Sequence, residues 1–177
     1  MNYNKLIFFA LSLIIVFSSS CNNVNEESNS LKWQTDNANY FTNMKDSTSY
    51  ILYNIPDKRG GQSFYYKITK QGDQSGTSPV ATDVVKVNYR GRLITGEIFD
   101  KTFVGNSPEN DINATPAQFV VGQLIPGWIE NLMFMKVGEI RTIIVPQTLG
   151  YGAYGASPSI PSYSTLRFEI QLVSIVK

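Results

Sequence analysis

Two well-separated stretches, Val84 to Leu93 (VVKVNYRGRL) and Leu166 to Val176 (LRFEIQLVSIV), alternate apolar and polar residues. Alternation sends successive side chains to opposite faces of an extended backbone, so each stretch must lay one face on a core. In the first, Val85, Val87 and Tyr89 share a face, while Lys86, Asn88 and Arg90 share the other; in the second, Leu166, Phe168, Ile170 and Leu172 lie together. Tyr89 is therefore expected to point inward. Phe64 to Lys70 (FYYKITK), Glu97 to Thr102 (EIFDKT), Phe119 to Val121 and Ile140 to Val145 (IRTIIV) read as further strands. Asp57 to Gly61 and Thr95-Gly96 mark turns, and Val104 to Pro116 (VGNSPENDINATP) is a loop rich in Gly, Asn and Pro. Pro126, Gly127 and Trp128 open a helix, with Pro126 suited to its first turn; Trp128, Leu132 and Met135 keep helical spacing up to Gly138. Many antiparallel strands with one short helix predict an α+β domain, a sheet wrapped over a helix. No internal repeat is present.

The chain has 177 residues, enough for one ordinary domain and an accessory segment. Hydrophobic residues at 42% and charged residues at 16% exclude disorder of the whole chain. A net charge of +1 gives no long-range attraction for phosphates, so nucleic acid is not an expected partner. Histidine is absent and cysteine occurs once, which removes Ser-His-Asp and Cys-His hydrolase sites, histidine zinc sites and an internal disulfide framework. No metal or cofactor is expected.

Near the N-terminus, Lys5 precedes the apolar run Leu6 to Phe17, followed by Ser18, Ser19, Ser20 and Cys21. This is a signal-peptide layout, and the run is shorter than the roughly 20 residues that cross a bilayer. Small residues before a lone cysteine resemble the lipobox of bacterial lipoproteins, with Ser18 standing where an aliphatic residue is usual. Cys21 is accordingly the expected lipidation site; the other reading is a plain secretory signal followed by an incidental thiol. The expected location is the cell envelope, on the periplasmic or surface side of a bacterial membrane. Asn22 to Ser30 (NNVNEESNS) is polar and reads as a tether, its Glu26-Glu27 pair being either linker charge or a surface-export signal. From Leu31 to Met44, Trp33, Tyr40, Phe41 and Met44 are compatible with one face of a short helix packing on the domain. The expected division is thus signal 1–20, tether 21–30, a partly helical extension 31–62 and a core domain 63–177.

Taken singly, the chemistry-bearing residues have plain readings. Trp128 is core, Asp100 a solvated edge charge, and Tyr151 part of a Gly-Tyr turn with Gly150, Gly152 and Tyr154. In order, however, VKVNYRGRL, EIFDKT, FVVGQLIPGWIENLMFMKVGE (Phe119 to Glu139), the Tyr151-Gly152 pair and IPSYSTLRFEIQLVSI (Ile160 to Ile175) resemble the FK506-binding-protein family of peptidyl-prolyl isomerases. The resemblance covers the chain from near Phe64 to the C-terminus, and lipoprotein forms of this family fit the N-terminal reading. It implies an antiparallel half-barrel around the short helix, with a pocket between them. The implied pocket comprises Tyr89, Phe99, Asp100, Leu124, Ile125, Trp128, Tyr151, Ile160 and Phe168. Trp128 would be its floor, Ile125 N–H and the Tyr151 hydroxyl would bind substrate carbonyls, and Asp100 at the rim would hold a tyrosine such as Tyr89 or polarise the peptide.

Two departures stand out. Ala117 occupies a position where the family places a pocket aromatic, which thins that wall or leaves the loop to supply something else; and the usual Ile-Pro-Pro is here Ile160-Pro161-Ser162. The implied activity is rotation about X-Pro bonds in exported polypeptides, with macrolides as possible inhibitors and no nucleic-acid partner. Ala117 and the 104–116 loop favour a second reading, a non-catalytic polypeptide-binding module or chaperone of the same fold. A structural or adhesive surface β-module leaves the ordered motifs unexplained.

Overall fold

A computed structural model describes residues 20–156 and 158–176, with side chains from residue 25 onward. The signal-peptide reading and the lipidation of Cys21 fall on residues or side chains outside that description. In chain order the elements are helix α1 (Ser20–Asn43), strands β1 (Ile51–Asn54), β2 (Ser63–Lys70), β3 (Val84–Arg92), β4 (Ile98–Lys101) and β5 (Ala117–Val120), helix α2 (Pro126–Leu132), and strands β6 (Ile140–Val145) and β7 (Leu166–Val176). All seven strands join one antiparallel sheet in the order β1-β2-β6-β7-β3-β4, with β5 sharing the β3 edge beyond β4.

The alternation seen in β3 and β7 is what builds the core. Val85, Val87, Leu166, Phe168, Ile170 and Leu172 are buried on the concave face, against Trp128 and Leu132 of α2. Helix α2 can approach β6 because Gly127 has no side chain: a Cβ there would stand 2.6 Å from Val145 Cγ1. The regular helix stops at Leu132 rather than running toward Gly138, as Met135 N–H donates to Leu132 O (3.1 Å) in the i to i−3 spacing of a tighter turn. Gly138 then takes φ +83° and sends its N–H to Leu172 O.

The N-terminal part differs from the sequence expectation in one respect. Helix α1 is longer than a 31–44 helix and includes the stretch read as a tether, whose residues 25–30 are all exposed. A turn of helix already fixed by docking extends at small cost, so polar residues without an apolar face can continue it. Strand β1 extends the edge of the sheet beside β2, a placement the sequence leaves open for residues 31–55 but does not mark, because Ile51 and Leu52 are exposed and show no alternation.

Docking of α1 is specific. Trp33 Nε1 donates to Ser162 O (3.0 Å), Thr165 N–H donates to Asn37 Oδ1 (2.7 Å), and Thr165 Oγ1 donates to Asn37 O (3.0 Å). Phe41 meets Tyr65 edge-on at 5.2 Å. Tyr65 pairs with Ile144, so α1 covers the outer face of β2 and β6, and every residue of β6 is buried.

Candidate active site

On the concave side, the C-terminal part of β3 carries Tyr89 and then Gly91. A Cβ on Gly91 would lie 2.4 Å from Phe99 Cζ and 3.0 Å from Phe168 Cε1, so glycine is the residue that lets these two rings lie over the strand. Phe99 and Phe168 meet edge to face at 5.6 Å. Trp128, only 4% exposed, receives Phe168 at 5.3 Å, Tyr89 at 5.2 Å and Phe119 at 6.1 Å, each nearly perpendicular to the indole. These rings, with Leu124, Ile125, Asp100 and Tyr151, enclose a cavity of about 140 Å³ whose floor is the indole.

Polar groups sit at defined points on this apolar wall. The Tyr89 hydroxyl donates to Asp100 Oδ2 at 2.5 Å, and Asp100 Oδ1 accepts the Lys101 N–H at 2.8 Å. Burial first, then the bond to Asp100 and its charge, push the Tyr89 hydroxyl well above the usual tyrosine range. Tyr151 is raised for the same leading reason, burial, with the Asp100 charge adding to it. Both hydroxyls are therefore protonated throughout the neutral range and can donate. The Tyr151 hydroxyl has no hydrogen-bond partner among the described residues, and Tyr151 lines the cavity while staying 38% exposed.

The Ile125 N–H is a second free donor. Pro126 opens α2 and holds Ile125 extended (φ −62°, ψ 148°), so the Ile125 carbonyl caps the helix by accepting from Trp128 N and Ile129 N. The N–H of the same residue, in the preceding peptide unit, has no acceptor among the described residues. Trp128 Nε1 is likewise buried without a partner.

Of the nine pocket residues expected from sequence, eight line the cavity. Ile160 does not. It is 6% exposed and packs in the core cluster, with its N–H and carbonyl both bonded to Ala156. That bridge holds the Tyr151 loop closed, and Gly155 makes it possible, since a Cβ there would be 2.3 Å from Ile160 O. Tyr154 is 93% exposed and turned away, leaving Tyr151 as the tyrosine at the mouth. Phe119 lines the cavity although sequence reasoning passed over it. The signal was available: Ala117 and Phe119 lie on one face of β5, opposite Val87 and Val85 of β3, so the wall thinned at Ala117 is faced by an aromatic two residues later. The 104–116 loop contributes nothing to the cavity. It crosses the outer face, where Phe103 lies under the Arg90 guanidinium, Gly105 O accepts from Arg90, and Glu109 pairs with Lys70 of β2.

The FKBP-type peptidyl-prolyl cis-trans isomerase model matches residues 75–173, the span that holds the whole cavity. This chain belongs to the FKBP family. It is 41% identical over 111 residues (63% of the chain, 49% of the relative) to the FKBP-type 22 kDa peptidyl-prolyl cis-trans isomerase of Escherichia coli K12. To the FKBP-type isomerase FkpA of Aeromonas hydrophila it is 36% identical over 139 residues (76% and 47%). The FKBP fold is equally evident in three dimensions: the crystal structure of Escherichia coli FkpA superposes with a TM-score of 0.68 at 26% identity, covering 86% of this chain and 63% of that one. The chain spans about half the length of the curated relatives it matches, 49% and 47% in these two cases.

Proposed function

We propose that this FKBP-family chain is a peptidyl-prolyl cis-trans isomerase acting on X-Pro bonds of exported polypeptides. The observation that carries the reading is the ring-lined cavity with two unpaired donors, Ile125 N–H and the Tyr151 hydroxyl, at its mouth. Rotation about an X-Pro amide faces a barrier of about 20 kcal/mol because it breaks amide resonance. No covalent bond forms or breaks, so neither acid, base nor nucleophile is needed, and a chain with no histidine is adequate. The planar amide is more polar than the twisted one and is better solvated by water. An aromatic cavity over Trp128 removes that solvation, while the two donors hold the carbonyls flanking the twisted bond. Lowering the barrier by about 5 kcal/mol gives a few-thousand-fold acceleration.

In this reading Tyr89, Phe99, Leu124, Phe119 and Phe168 form the walls around the proline ring, and Asp100 fixes Tyr89 by the bond described above. A macrolide that fills the same cavity competes with substrate. Exchange spectroscopy on a proline peptide with and without the protein tests the proposal: catalysed exchange between the cis and trans forms is expected, suppressed by the macrolide. Affinity for the peptide with no change in exchange rate would instead leave a binding module.

The envelope location is a separate part of the proposal and rests on the lone cysteine behind an apolar run. Lipidation of Cys21 predicts that the protein expressed in a bacterium partitions into the detergent phase and that Cys21→Ala returns it to the aqueous phase; identical partitioning of the two would reject it.

A further inference from the structure

The outer face of the sheet is covered on one side by α1 and on the other by the 104–116 loop, and a groove of about 230 Å³ stays open between them. Its walls are three arginines, Arg90, Arg92 and Arg167, with Glu169 and Gly96. Arg90 is held rigidly, with its guanidinium over Phe103 at 4.5 Å, Nη1 donating to Gly105 O (2.9 Å) and Nη2 to Glu169 Oε2 (2.8 Å). Its side chain is 11% exposed and its Nε is buried with no partner. Arg92 is anchored at one end only, by Nη1 to Gly96 O (2.8 Å). Across the strand pair Arg92 stands directly opposite Arg167. Glu169 is engaged by Arg90, and among the described residues no carboxylate pairs with Arg92 or Arg167.

Like charges placed directly opposite on neighbouring strands destabilise a sheet. Here the arrangement leaves two unmatched positive charges, converging from both strands on one recess. Guanidinium forks are suited to bidentate capture of tetrahedral oxyanions, and two net charges match a dianion better than a monoanion. We propose that this groove binds a phosphate-monoester dianion, on the side of the sheet opposite the prolyl cavity. The two sites are back to back: Arg90 and Arg92 flank Gly91, and Arg167 and Glu169 flank Phe168, so one sheet thickness separates them. The site stands whether or not the cavity catalyses isomerisation.

The test is the thermal midpoint of the full chain in inorganic phosphate against sodium chloride at equal ionic strength. Phosphate at about ten times its dissociation constant should raise the midpoint by about 3 °C. Arg92→Gln and Arg167→Gln should lose this rise, and in chloride should melt at or above the wild-type midpoint because the opposed charges are gone. Glycerophosphoglycerol, a monoanionic diester like a lipid headgroup, should protect less than phosphate; equal protection would overturn the dianion assignment in favour of a lipid source. A rise that chloride reproduces, or that both variants retain, would mean general salt stabilisation and would overturn the site altogether.

Discussion

Asp100 lies opposite Gly91 on the strand pair, and this register is what brings its carboxylate to the Tyr89 hydroxyl. Without that bond the ring of Tyr89 loses its anchor at the cavity mouth while its packing on Trp128 persists. Asp100→Leu is therefore expected to reduce kcat/KM for a proline peptide about tenfold, roughly 1.4 kcal/mol of transition-state stabilisation, with the unfolding midpoint little changed. Equal kinetics would reduce Asp100 to a surface charge. At this scale the sequence was informative where a residue's face is set by alternation. Tyr89 and Phe168 followed from strand periodicity, and Phe119 was recoverable by the same rule. Ile160, whose expected place came from a motif alone, packs in the core cluster beside Trp128 and Phe168 rather than on the cavity lining, and its backbone bridge to Ala156 is encoded by no local pattern. The arginine groove was hidden by averaging: a net charge of +1 says nothing about three guanidinia gathered across two strands.

Among the elements, α1 is the one least specified by its own sequence and most dependent on the domain. Asn37 and Thr165 are 1% and 2% exposed, so their hydrogen bonds form away from water, and removing the acceptor leaves a buried N–H unpaired. Asn37→Ala should cost about 1–3 kcal/mol in urea or thermal unfolding. No change would show that α1 is not docked in solution. The helix was legible only where aromatics mark its buried face, at Trp33 and Phe41, and its exposed N-terminal turns carry no such mark. Strand β1 shows the same limit, since an edge strand with exposed Ile51 and Leu52 pairs through its backbone and leaves little pattern in its side chains. In β6 every residue is buried even though Arg141 and Thr142 interrupt its apolar residues, and α1 contributes to this by covering the side that α2 does not.

For the molecule as a whole, the sheet and α2 share one core, and the cavity is the part of that core left open between them. Floor and core are thus the same residues, which is why order of motifs along the chain disclosed both the fold and the site. The claim on which the functional account depends is that the indole floor makes a prolyl amide easier to twist. The direct measurement is cis/trans exchange of a proline peptide catalysed by wild type, by Trp128→Ala and, since loss of a buried indole can unfold a domain, by Phe99→Ala at the cavity's more open wall, each compared at equal folded fraction. A fall of about tenfold or more is expected in both variants. A folded variant of either kind that turns over the peptide as fast as wild type would contradict it.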